Sequence, residues 1–272
     1  MNIIKRNFFT ALRIGAFHSD ELFEPMSAFK WRKLLSMADA HEMGGYIARS
    51  LADYDCNGIT AATAAMLHNY RQQHADDPTG IPAGATRQSA LQNGLLNSRL
   101  ENIRDNERHA IDTSVESLEL LNLIVWNSAH ILKSGISLQG IMALGMMLRQ
   151  KGDRIDFVKT DRWLGKLQLR RMAQLEGSIL VAFFGFDTEE VPFLDRCMRE
   201  AIALTEHELG QHPGQPSYNW HFRQGRSGFL HNDATSTGRT LRHAYRYMGY
   251  APVESISTLL HNFTRSLAEI EE

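Results

Sequence analysis

The chain has 272 residues, 29 Lys and Arg against 31 Asp and Glu, and a formal net charge of −2, so bulk charge does not mark it as a partner of polyanions. Two cysteines, Cys56 and Cys197, far apart in sequence, exclude a disulfide framework and fit a reducing, cytoplasmic setting. Lys5, Arg6 and Arg13 interrupt the early apolar stretch, and no uncharged run approaches the roughly 18 residues of a membrane span, so neither a signal peptide nor a membrane partner is expected.

From the amino end, Phe8, Phe9, Leu12 and Phe17 predict a first amphipathic helix. Phe29 to Ala38, after Pro25, predicts a second, His41 to Leu51 a third, and Ile59 to His74, rich in Ala, a fourth. Ala75 to Arg87 carries Pro78, Gly80, Pro82 and Gly84 and reads as a loop. Beyond it Leu91, Leu95, Leu100, Ile103, Ala110, Ile111, Val115 and Leu118 recur at helical intervals, which suggests one long helix with a break near Thr113. Leu120, Leu121, Ile124, Val125, Ile131 and Leu132 continue the pattern until Gly135 stops it. Ser137 then caps a segment with Ile141, Leu144, Met147 and Leu148 on one face, closed by Gly152.

From Thr160 to Phe184 the apolar residues Trp163, Leu164, Leu167, Leu169, Met172, Leu175, Ile179, Leu180, Phe183 and Phe184 exceed one amphipathic stripe, predicting a central helix buried on several sides. Gly185 and Asp187 end it, Thr188 opens the next element, and Cys197 reads as a small core residue of an apolar helix. These elements give an all-α fold, a multi-helix bundle of two subdomains joined by a long helix. The expected division is 1–75 as an N-terminal helical region, 76–87 as linker and 88–272 as a C-terminal helical domain.

Two stretches resemble an uncharacterised nucleotidyltransferase-like family in which helical flanks surround a catalytic core. At the amino end these are NFFTALRIGAF (Asn7 to Phe17) and FKWRKLLSMADAHEMGGYIARSL (Phe29 to Leu51); further on, GISLQGIMALGMMLRQKGDRIDF (Gly135 to Phe157) and FFGFDTEEVPF (Phe183 to Phe193). The resemblance implies a Gly-containing phosphate turn and an Asp-x-Asp metal pair between the flanks. Ala52 to Glu119 carries neither, and the nearest match, Asp153-Arg154-Ile155-Asp156, has the wrong spacing and reads as a helix cap on a solvated loop. No catalytic residue of the family can be placed, no cofactor is expected, and the resemblance implies a non-catalytic helical scaffold that binds a protein partner.

His207-Glu208 followed by His212 approaches a His-Glu-x-x-His zinc motif with one residue too many, which turns the second imidazole off the helical face; a helix terminus is the simpler reading, and no metal is expected. His41 and His130 read as partly buried helical histidines. Between Tyr218 and Tyr250, Arg223, Arg226, Arg239, Arg242 and Arg246 face one acidic residue, Asp233, among aromatic side chains and the imidazoles of His221, His231 and His243. Guanidinium forks suit phosphates and aromatic faces stack on bases. Trp220, His221, Arg223, Arg239, Arg242 and Arg246 are therefore the candidate ligand-binding residues, with nucleic acid or a phosphate ligand as the alternative partner; the bland reading of the arginines is a solvated helix face.

Overall fold

The computed structural model describes residues 1–52, 54–55, 58–82, 85, 89–110, 114–210, 222–224, 230–232 and 234–268, with the backbone alone for 222–224, 230–232, 234–239 and 265–268. The described residues form α1 (Ile3–Phe17), α2 (Ala28–Ala40), α3 (Gly44–Ser50), α4 (Ala61–Gln73), α5 (Gly94–Arg108), α6 (Val115–Ser134), α7 (Leu138–Lys151), α8 (Phe157–Lys166), α9 (Arg170–Phe184), α10 (Glu200–Glu208), α11 (Ala234–Met248) and α12 (Pro252–Ala268), with 3-10 turns at Gly152–Arg154 and Thr188–Glu190. The fold is an all-α bundle. A short antiparallel hairpin, β1 (Phe222–Gln224) and β2 (Leu230–Asn232), is an addition that strands of three residues leave too little periodicity to announce. Among the described residues no helix is long and apolar enough to cross a membrane.

Local chemistry accounts for most boundaries. Side chains of Asn2, Thr60, Asn93, Ser114, Ser137 and Asp156 accept hydrogen bonds from the first turns of α1, α4, α5, α6, α7 and α8. Asp156 thus serves as the cap expected of the Asp153 to Asp156 connection. The stretch read as one long helix divides into α5 and α6, which end and begin on either side of residues 109–114.

Three readings are corrected. Thr160 to Phe184 is not one helix: the chain turns at Gln168, where the Leu169 amide donates to the Leu164 carbonyl (2.9 Å) and the Gln168 amide to that of Gly165 (3.2 Å). This is the six-to-one and five-to-two bonding of a Schellman turn, built with Gln168 at φ 56° where glycine is usual. Glu42, at φ 57°, closes α2 in the same way, so His41 ends that helix and does not open α3. Cys197, too, is not in a helix core: it is exposed and lies in irregular chain before α10.

The buried side chains form one continuous cluster in which residues near both ends of the chain take part. Phe9 of α1 packs on Phe183 and Phe184 of α9, with ring centroids 4.5 and 5.6 Å apart, and Arg13 donates to the Phe183 carbonyl at 2.6 Å. Alpha-1 crosses α3 backbone to backbone at Gly15, where a Cβ would stand 2.0 Å from the Tyr46 carbonyl oxygen. Arg104, 4% exposed, ties α5 to α6 by donating twice to Asn122 and once to the Ser89 carbonyl.

In the middle of α6, α7 and α9 lies a polar knot. Asn127 donates its amide to the Gly140 carbonyl (3.1 Å) and to Glu176 Oε2 (2.8 Å), and a Cβ at residue 140 would meet Asn127 Oδ1 at 2.1 Å. Glu176 is wholly buried, and among the described residues neither its Oε1 nor Asn127 Oδ1 has a hydrogen-bond partner. Burial drives the Glu176 carboxyl well above the usual carboxylate range, against the opposing pull of Asn127 and the nearby Ser128 hydroxyl.

Candidate anion-binding cleft

Alpha-9 begins with Arg170 and Arg171 and has no acidic residue in its first turn, and Arg199 stands at the cap of α10. Cations at the positive end of a helix dipole oppose local stability. Such departures from local preference concentrate where a chain serves function. The irregular segment before α10 is fastened to α9 by Ser178, which accepts from the Met198 amide (2.9 Å) and donates to the Gln174 carbonyl (2.7 Å), while Gln174 Nε2 donates to Asp195 (2.5 Å). Opposite lies the end of α11 with Tyr245, Arg246 and Met248, followed by Gly249 and Tyr250. Together these walls enclose a cleft of about 1170 Å³.

Four guanidinium groups, of Arg171, Arg196, Arg199 and Arg246, line this cleft against two carboxylates, Asp195 and Glu200. Among the described residues Arg171, Arg196 and Arg199 enter no ion pair. Tyr245 is 78% exposed, and the Arg171 guanidinium lies 5.9 Å from the centre of the Tyr250 ring, within cation–π range. Exposed aromatic faces beside free guanidiniums are suited to an anion that carries a ring.

Arg246 is held from behind. Its Nη1 and Nη2 stand 3.2 and 3.1 Å from the two ring nitrogens of His207, of which a neutral imidazole offers only one as acceptor. Burial and the Arg246 charge keep the His207 pKa below the usual imidazole range. Glu208, 8% exposed, lies 3.6 Å from Arg246 and accepts from the Tyr247 hydroxyl at 3.2 Å; burial raises its pKa. One turn earlier on α11, His243 is pushed down to about 4 by burial, so its neutral ring donates from Nε2 to the Ile131 and Leu132 carbonyls at the end of α6 (3.0 and 3.2 Å). That bond docks α11 on the bundle and fixes where Arg246 enters the cleft.

Of the six residues singled out by sequence, Arg246 is the one that the described residues place in this cleft. Arg242 is exposed elsewhere on α11. Arg223 pairs with His231 across the hairpin and Arg239 belongs to α11, each with its backbone alone described. Trp220 and His221 lie outside the described residues, as does His212. His207 stands in the last turn of α10, and among the described residues no group of three His, Cys, Asp or Glu side chains could hold a metal ion. Sequence reasoning missed Arg171, Arg196, Arg199 and Tyr250; basic residues at two helix starts are a signal that could have found Arg171 and Arg199. Comparison with family models, with curated proteins and with solved structures gave no match, so the functional reading rests on this geometry alone.

Proposed function

We propose that the chain binds a phosphate-bearing ligand in the cleft between α9, the segment before α10 and the end of α11, and that the ligand is a short stretch of single-stranded nucleic acid. The observation that carries this reading is three arginines that have no carboxylate partner among the described residues, two of them at helix starts where the backbone also favours an anion. The cleft, at about 1170 Å³, exceeds the roughly 300–1,000 Å³ of ordinary small-molecule sites, which supports a chain of more than one phosphate. Tyr245 offers the exposed face on which a base stacks.

Titrating a labelled single-stranded oligonucleotide at several salt concentrations tests this. Binding should weaken with salt at a slope of about −0.7 per phosphate neutralised, and Arg171→Gln with Arg199→Gln should flatten that slope by about 1.4. Replacing Arg223, Arg239 and Arg242 together serves as the contrast, since the sequence pattern placed binding there. Loss in that triple variant and not in the double one moves the site to the segment around the hairpin. Absence of salt-dependent binding in the parent protein would favour the helical scaffold expected from the family resemblance.

A further inference from the structure

A second concavity lies far from the cleft in chemistry. The outer face of α2 presents Phe29, Arg32, Lys33, Ser36, Met37 and Ala40 at helical spacing, and the start of α1 supplies Ile4 and Lys5 as the facing wall, with Leu209 closing one end. The groove is about 500 Å³ and more apolar than polar, within the range of small-molecule sites. Its charges have one sign. Among the described residues Lys5, Arg32 and Lys33 line it with no carboxylate and none of the three is in an ion pair, though Lys5 Nζ donates to the Glu206 carbonyl at 3.2 Å.

A further observation sets its chemistry. Phe29 is 58% exposed with the Lys33 ammonium 4.9 Å from its ring centre, an apolar face already paired with a cation. An apolar floor rimmed by three cations matches a small molecule with a hydrocarbon or aromatic body and an acidic head. We infer that the groove between α1 and α2 binds an amphipathic organic anion, the acid group held by Lys5, Arg32 and Lys33 and the apolar body lying on Phe29 and Met37. This stands independently of the nucleic-acid reading, which uses none of these residues.

The test is titration of the intact chain with anilinonaphthalene sulfonate, followed by displacement with decanoate, decanol and decyltrimethylammonium. Decanoate should displace the dye at least tenfold better than decanol, and decyltrimethylammonium should fail. Lys5→Gln, Arg32→Gln and Lys33→Gln combined should weaken decanoate roughly tenfold, three exposed charge contacts having that summed worth. Met37→Trp, which fills the groove while leaving the cations, should abolish binding, with thermal unfolding showing that each variant is folded. Equal displacement by decanol and decanoate, or full affinity in both variants, overturns the inference. So does binding of an acidic peptide with none of decanoate, which would make the face a protein-docking surface. Oligonucleotide affinity unchanged in these variants keeps the outcome separate from that of the cleft.

Discussion

Glu176→Gln should make the stability of this protein less dependent on pH while leaving its shape intact. The carboxyl is wholly buried, receives one amide hydrogen bond from Asn127 at 2.8 Å, and has a second oxygen without a partner. An ionised carboxylate there would lack the donors that offset desolvation, so the folded chain keeps the proton. In the unfolded chain the group ionises above about pH 4.3. Because the folded pKa is the higher one, its contribution is complete below that unfolded value and is lost as pH rises toward the folded value. Over that window the slope is about 1.4 kcal/mol per pH unit for one proton. Glutamine removes the titration and preserves the acceptor for Asn127. Urea unfolding of both proteins at a series of pH values above about 4.3 should therefore show the variant gaining on the parent, by at most about 1.4 kcal/mol per pH unit, until the folded value is passed. Glu208 and Glu254, whose pKa values burial also raises, titrate in both proteins and cancel from the difference. Parallel stability curves would falsify the reasoning, because they would mean that Glu176 is ionised in the folded bundle.

Gly15→Ala should lower stability by about 3 kcal/mol in urea unfolding, since its new methyl overlaps the Tyr46 backbone oxygen and forces α1 from α3. Gln168→Gly should do the reverse, raising stability by about 0.5–1 kcal/mol: relief of the left-handed conformation outweighs the added freedom of the unfolded chain, and an unchanged melting temperature would contradict it. Phe9→Ala should cost about 3–5 kcal/mol, as it removes a ring enclosed by α9. Tyr245→Ala should weaken oligonucleotide binding roughly tenfold with little change in salt slope, because it removes a stacking face and no charge.

What could be read from sequence follows how local each signal is. Alpha-7 carries its apolar stripe, cap and stop within one stretch of chain, bracketed by Ser137 and Gly152 as expected, and α6 shows its stripe and its stop at Gly135. The turn at Gln168 was hidden because a Schellman turn built on glutamine leaves no glycine to mark it, and Leu167 and Leu169 on either side continue the apolar pattern. Cys197 was misplaced because an exposed, irregular segment between two helices has no periodicity of its own. The cleft was the least legible feature. Its arginines come from three separate stretches, and only the one dense in Arg and aromatic residues stood out, so Arg246 was found and Arg171, Arg196 and Arg199 were not.

The seam between α1 and α9 bears on how the molecule is made. Arg13 and its acceptor at Phe183 are separated by 170 residues, and Phe9 waits for the same distant helix. At about 5–20 residues per second of synthesis, that aromatic face stays without its mate for roughly ten to thirty seconds. Until its second half emerges, a nascent chain of this topology has only α2 and α3 to cover α1.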